Sequence, residues 1–476
     1  MQADQGPEAR LRRGLAWNAG SVLSTHALNF LRYVVVARLL SFEAFGLFAM
    51  VNVAMLAAHM LSTWGWRQAF IAQHKDPEAP EPRQQALWTA DLIVRAGATL
   101  LLALAAPLVA RGFGEPELTA LIAVSGLYVL GQGLRHPALA EREREMQFRA
   151  IAWVELSGAV AGLVVAVLGA VLLRSVWALV FGQVMAVMVS AAVSYLLLGA
   201  PARPLLDDRL IRHGFRFARG MFGISALGWV MSQVDNAIVG AVLGAGALGL
   251  FAIAYRLCEI PKVMQDTIIT RAVYPYYVKA LARGPGELRN AWTLTGRYTL
   301  WLLWLVYLPL VVAPELVLSL LFGARWAAAA DALRVLAVAG VVRGIGTFLT
   351  PVLMSLQRPG LDARIKLVET AVFVAVAAWG ALGPGTIEAV ALAGVAGWGL
   401  GLLVRFGAVC RHTGARAGDV LRAWRAPVAG LAAAVLPVAL LGRLPAAAVL
   451  ALVVAALLGL ALWLERARLR QLRGAR

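Results

Sequence analysis

The chain has 476 residues, of which 61% are hydrophobic and only 15% charged, and its mean hydropathy is +0.74. An ordinary soluble domain carries about 25% charged residues, and a single aqueous core stops growing near roughly 250–300 residues. This composition therefore excludes a soluble globule. Lysine and arginine total 44 against 26 acids, a formal charge of +18, so what matters is where the cations sit.

Fourteen apolar stretches follow in chain order, near 15–39, 44–66, 86–109, 117–136, 151–172, 176–198, 219–243, 247–270, 293–313, 331–356, 365–383, 386–410, 427–442 and 445–464. All but 427–442, which falls just short, reach the roughly 17–25 residues that cross a hydrocarbon layer as a helix. The first follows Arg10, Arg12 and Arg13, the basic start of a signal peptide, but it runs to about Leu40 without a small-residue cleavage site and is read as an uncleaved span. It carries Asn18, Ser21, Thr25, Asn29 and Arg32, which at 100° per residue fall within about 80° of one another. Lipid does not tolerate such a face, so it meets other helices or a wet cavity. The second span repeats the pattern more weakly with Asn52, His59, Thr63 and Trp66, and the third places Asp91 one turn before Arg95.

Between the fourth and fifth spans, Glu141–Arg149 (EREREMQFR) predicts a cytoplasmic helix lying along the interface, with a solvated connector as the alternative. Asp235, in the seventh span, has no cation one turn away on its own helix. A buried carboxylate is costly unless paired or protonated, so Asp235 is either a proton or Na⁺ coupling site or one half of a pair between helices. The eighth span places Arg256, Glu259, Lys262, Asp266 and Thr270 around Pro261, which is expected to kink it. Arg256 with Glu259 and Lys262 with Asp266 stand at pairing distance along a helix. They neutralise each other, or they part and expose two cations, leaving Glu259 and Asp266 as further coupling candidates. Asp331 with Arg334 invites the same two readings, and Arg343 sits mid-membrane in the tenth span.

With the N-terminus inside, the opposite side holds only Arg38, Arg111, Arg174, Arg325 and Arg443, while Arg32, Arg95, Arg256, Lys262, Arg334 and Arg343 fall within spans. The remaining cations, including Arg135 and Arg405, gather in the cytoplasmic connections and tails, as the positive-inside rule requires of fourteen spans with both termini cytoplasmic. Orientation accounts for the basic balance, and nucleic acid is not needed. Cys258 and Cys410 have no partner at metal or disulfide spacing. GAGALG (Gly244–Gly249) matches G-x-G-x-x-G but lies in a turn between spans without a preceding strand, and no G-x-x-x-x-G-K-[ST] occurs. Glycine pairs four apart, Gly158/Gly162, Gly340/Gly344 and Gly397/Gly401, suit close helix packing.

The stretch ARLLSFEAFGLFA (Ala37–Ala49) aligns with GAVLGAGALGLFA (Gly240–Ala252) at an offset of 203, with Leu40/Leu243, Ala44/Ala247, Gly46/Gly249, Leu47/Leu250, Phe48/Phe251 and Ala49/Ala252 identical. Phe113-Gly114 echoes Phe322-Gly323, and Ala123–Gly126 echoes Ala337–Gly340. Copies six spans apart share one orientation, and parallel repeats of this kind place a transporter's substrate between two lobes. The expected organisation is all-α: a six-helix lobe over 1–200, a second over 201–415, and two extra helices with a basic tail over 416–476, with a central cavity between the lobes.

The segment around Ala37–Gly46, the run VDNAIVGAVLGAGALGLFAIAYRLCEIP (Val234–Pro261), EREMQFRAIAWVE (Glu143–Glu155) and LRVLAVAGVVRGIG (Leu333–Gly346) resemble Wzx-type polysaccharide flippases. These form the polysaccharide-transporter branch of the multidrug/oligosaccharidyl-lipid/polysaccharide exporter superfamily, and the likeness is nearest to the colanic-acid and exopolysaccharide exporters. Phe251 stands where that family usually has Tyr. The resemblance covers roughly 12–425 and implies alternating-access movement of undecaprenyl-diphosphate-linked oligosaccharide across a bacterial inner membrane. It implies lipids, a polysaccharide polymerase and assembly proteins as partners, and no cofactor beyond a coupling H⁺ or Na⁺. The candidate cavity residues read from the sequence itself are Asn18, Thr25, Asn29, Arg32, Asn52, His59, Arg256, Lys262 and Arg343. Arg32 would attract the diphosphate, Arg256 and Lys262 would meet its oxygens once their pairs part, amides and aromatic rings would contact sugar, and Arg343 would add to the cationic lining. Two other readings remain at this point: a cation-coupled multidrug antiporter of the same superfamily, which would favour an acidic cavity, and a membrane polymerase or ligase, which would need a sizeable outer loop. No catalytic or metal-ligating group is expected.

Overall fold

The computed structural model describes residues 7–63, 80–199, 203–268 and 273–425, and every regular element among them is helical. The first helices are α1 (Pro7–Leu39), α2 (Phe42–Ser62), α3 (Pro80–Phe113), α4 (Leu118–Leu134), α5 (Ala138–Arg144), α6 (Phe148–Leu173), α7 (Trp177–Leu198) and α8 (Asp208–Ile268). They are followed by α9 (Tyr274–Ala282), α10 (Pro285–Val312), α11 (Pro314–Phe322), α12 (Ala330–Ser355), α13 (Pro359–Leu382) and α14 (Ile387–Thr413). Among the described residues nine helices are long and apolar enough to cross a membrane, or ten if the 59° bend between α4 and α5 lies within one span. That count takes α8 as one element, although its backbone breaks at Gly244 (φ 84°). Divided there, α8 supplies the expected seventh and eighth spans, and each of the first twelve apolar stretches falls on a described helix. The thirteenth and fourteenth lie in 426–476, outside the described residues.

Local chemistry sets the ends. The Ser41 hydroxyl accepts from the Ala44 N–H at 3.4 Å and opens α2, and Thr386 does the same for α14 through the Ala389 N–H at 3.3 Å. Pro285, Pro314 and Pro359 start α10, α11 and α13, where a missing N–H costs nothing. Pro261 is accommodated with helical backbone around it, and the break inside α8 falls at Gly244. The Glu141–Arg149 run is only half helical: α5 stops at Arg144, Met146 takes a left-handed φ of 58°, and Phe148 opens α6. Gln147 bridges that turn, accepting from Arg142 and donating to Glu145 at 2.8 Å.

The chain separates into two compact units, Met1–Gly249 and Leu250–Arg476. In the first, α6 packs on α7 and on α1, and α3 on α4. In the second, α14 packs on α12 and α13, and α10 on α12. Association in lipid lacks a hydrophobic drive and depends on close approach, which the paired glycines supply. Gly158 lies against Ser190 and the Ala186 carbonyl, Gly162 against Ala186 and Gly182, Gly340 against Tyr307, and Gly397 against Glu369 and Phe373. The repeated motif makes a closer contact still, within the first unit. Gly46 abuts the backbone of Ala245, and Gly249 abuts that of Phe42. Residues 42 and 245, like 46 and 249, are 203 apart, so the two copies meet reciprocally and any side chain at either glycine would enter backbone.

Candidate functional site

The polar row on α1 is partly buried. Arg32 is 6% exposed, its Nε has no hydrogen-bond partner among the described residues, and Thr25 Oγ1 is likewise buried without one. Asn29 is half-buried, and the Arg32 guanidinium lies 5.3 Å from the Tyr33 ring centre. Room for the guanidinium comes from α6, where a Cβ on Gly162 would stand 3.3 Å from Arg32 Nη1. The side chain of Asn18 lies outside the described residues, as do Trp66 and Thr270. Asn52 donates to the Phe48 carbonyl at 2.8 Å and accepts from Gln183 at 3.2 Å, a bond between helices α2 and α7.

His59 belongs to a different place, a partly open cavity of about 280 Å³ lined by α2, α3, α4, α5 and α6 within the first unit. Its walls are set by α3. The Trp88 indole donates to the carbonyls of Gly133 (2.9 Å) and Arg135 (3.1 Å), and Gln84 donates to that of Pro137 (2.7 Å). The Gly133 and Arg135 carbonyls at the end of α4 have no helical partner, so Trp88 satisfies them, while Gln84 shares the Pro137 carbonyl with the Ala140 N–H (3.0 Å), and together they hold the α4–α5 bend. From α7, Ser194 accepts the His136 N–H at 2.9 Å. Two ion pairs face the space: Arg95 with Asp91 at 2.7 Å and Arg135 with Glu155 at 2.6 Å. Arg95 also donates to His59 Nδ1 at 3.3 Å. Because a guanidinium only donates, that nitrogen is an acceptor and the imidazole is neutral. Gly133 leaves the space that Arg95 needs, since a Cβ there would stand 2.7 Å from Arg95 Cδ.

In the second unit Arg256 pairs with Glu259 at 2.8 Å, as the helical spacing predicts. Glu259, Lys262 and Arg343 line a small cavity of about 20 Å³ with Tyr255, Tyr307 and Trp398. Arg343 rests 4.8 Å over the Trp398 ring, a cation–π contact. The Asp266 side chain lies outside the described residues, so its pairing with Lys262 is not described. Asp235, in the first unit, is 2% exposed, and its Oδ1 accepts the Asn236 N–H at 2.8 Å. Asp331 pairs with Arg334 at 2.6 Å, and Glu315 joins them at 3.0 Å.

The strongest charge cluster lies elsewhere. Arg405, grouped by sequence with the cytoplasmic cations, is buried in α14. Its Nη1 and Nη2 donate to Glu369 at 2.7 and 3.1 Å, and its Nε to Asp362 at 2.8 Å. Thr350 donates to the same Asp362 oxygen at 3.3 Å, and the half-exposed Lys366 lies 3.6 Å away. Gly401 leaves room for the Glu369 carboxylate. A signal was present: Asp362 and Glu369 are seven apart, hence on one helical face. Gln84, Arg135 and Glu155 carried no comparable signal.

The family model described as polysaccharide biosynthesis protein matches residues 35–331. The chain is 25% identical over 372 residues to the lipopolysaccharide biosynthesis protein WzxC of Escherichia coli (strain K12), covering 76% of this chain and 73% of that one. It is also 25% identical over 381 residues to the succinoglycan biosynthesis transport protein ExoT of Rhizobium meliloti (strain 1021), covering 79% and 76%. Its fold is similar to that of the lipid II flippase MurJ in an inward closed conformation, with a TM-score of 0.74 at 11% identity over 96% of this chain and 100% of that one. An inward-facing multidrug resistance MATE family transporter of the MOP superfamily gives 0.67 at 14% identity over 82% and 95%. This helical, multi-span membrane protein belongs to the polysaccharide biosynthesis protein family.

Proposed function

We propose that the protein moves lipid-linked oligosaccharide, carried on undecaprenyl diphosphate, across the bacterial inner membrane for surface polysaccharide assembly, with both termini in the cytoplasm. The observation that carries this reading is Arg32, a buried guanidinium with no carboxylate partner among the described residues, on a helix face that also carries the buried Ser21, the buried Thr25 hydroxyl and the half-buried Asn29 amide. An unneutralised cation at membrane depth is costly, and a diphosphate is the anion that would offset that cost. Membership of a polysaccharide biosynthesis family and likeness to a succinoglycan transport protein support the same cargo. The pairing of Arg256 with Glu259 fits a second cationic position that opens when cargo arrives. On this reading the chain is a transporter that performs no covalent chemistry, and Asp235 is the residue to examine for proton or Na⁺ coupling.

The test is made in cells lacking the gene. Intact spheroplasts are treated with a membrane-impermeant sugar oxidant, and the undecaprenyl-linked oligosaccharide is then extracted. Complete oligosaccharide that accumulates protected from the oxidant is the expected result. Oligosaccharide that reaches the outer face but is not assembled would instead indicate a polymerase or ligase, and an unchanged glycan would favour drug export.

A further inference from the structure

The cavity in the first unit has a chemistry of its own. Each guanidinium that faces it already holds a carboxylate, Arg95 with Asp91 and Arg135 with Glu155, so the formal charges cancel. An anion arriving there would meet two carboxylates, and a cation would meet two guanidinium groups. An apolar group would leave the polar groups of the lining without hydrogen bonds, which is costly for a buried group. What remains unmatched is both donor and acceptor. Arg135 Nε is buried without a hydrogen-bond partner among the described residues. The second Glu155 oxygen is held only at 3.5 Å, and the Gln132 amide, which lines the same space, makes no hydrogen bond among the described residues. Neutral hydroxyls suit this alternation, because each both donates and accepts. The volume, about 280 Å³, lies just below the roughly 300 Å³ at which sites for drug-sized ligands begin, enough for one sugar ring and too little for an oligosaccharide.

We propose that this cavity is a subsite for a single neutral sugar ring of the carried saccharide. It recognises the ring through the Arg–carboxylate pairs and Gln132, separately from the groups that hold the diphosphate. The proposal rests on the flippase reading above, and its test keeps the two apart. Purified full-length protein in nanodiscs is titrated with undecaprenyl diphosphate and with the same lipid carrying one glucose, galactose or glucuronic acid. One of the neutral hexosyl lipids is expected to bind about tenfold more tightly than the bare lipid, and the glucuronosyl lipid to gain nothing. In Glu155→Gln and in Gln132→Ala that advantage falls to about twofold or less, while the bare lipid binds as before, which also reports that the variants are folded. An advantage that survives in both variants, or a wild-type protein that does not distinguish sugar from bare lipid, would overturn the subsite and leave the flippase reading intact. Failure of the wild-type protein to bind any of the four lipids would remove the flippase reading itself.

Discussion

Each unit buries arginine against carboxylates, but the two use the arrangement differently. In the first, Arg95 and Arg135 each hold one carboxylate, and the pairs border a void of about 280 Å³. In the second, Arg405 is shared between Asp362 and Glu369, its donors are directed at their oxygens, and glycines at 346 and 401 let helices close around the group. One arrangement leaves hydrogen-bonding capacity facing a space, whereas the other spends it internally. Identical residue types therefore form a binding wall in one place and a structural clamp in the other, and the difference lies in what the neighbouring helices leave empty.

That contrast can be broken first at the clamp. Arg405→Met leaves two carboxylates buried without their cation, and removing one partner of a buried pair costs about 3–5 kcal/mol. The expected outcome is loss of folded protein, read as monodisperse material after detergent extraction. Gly401→Ala acts in the same direction by pressing on Glu369, with a loss of about 1–3 kcal/mol read as a lower unfolding temperature. In the first unit the same kind of change spares the fold and affects transport. Arg32→Ala removes a cation with no carboxylate partner among the described residues and is expected to cut flipping about tenfold, the equivalent of one lost charged contact, at normal expression. Asp235→Ala is expected to reduce transport as well, again with insertion intact.

Smaller effects sharpen the contrast. The buried Tyr277 hydroxyl shares a hydrogen bond with Thr295, and burial pushes its phenol above the usual range. Tyr277→Phe should cost about 1 kcal/mol. The contribution of the wild-type phenol is complete below the unfolded pKa of about 10 and declines as pH rises above it, a decline that the variant flattens. Exposed Arg334→Ala, by contrast, should change stability by less than about 1 kcal/mol despite its two carboxylate partners and the Val311 carbonyl.

How much could be read from sequence follows from the range of the interactions. The first twelve spans were legible because each is a continuous apolar run, and Gly46 with Gly249 marked a repeat whose copies turn out to touch. Asp91–Arg95, Arg256–Glu259 and Asp331–Arg334 were legible because their partners lie one turn apart. The 280 Å³ cavity was not, because Gln84, Arg135 and Glu155 come from α3, the α4–α5 bend and α6 and meet only through that bend, which Trp88 fastens. Arg405 was misplaced for a related reason. Counting cations by side treats an arginine near a helix end as a loop residue, whereas its carboxylates lie on the neighbouring helix.

On the proposed function, movement of a lipid-linked saccharide across a bilayer is an activity of this chain by itself. It is tested most directly with purified protein in liposomes loaded on one leaflet with glycosylated undecaprenyl diphosphate, following access of an impermeant sugar oxidant from the other side. Movement that requires the protein, and that Arg32→Ala slows about tenfold, is the predicted result. Liposomes in which the saccharide stays on its original leaflet, with folded wild-type protein present, would contradict the account.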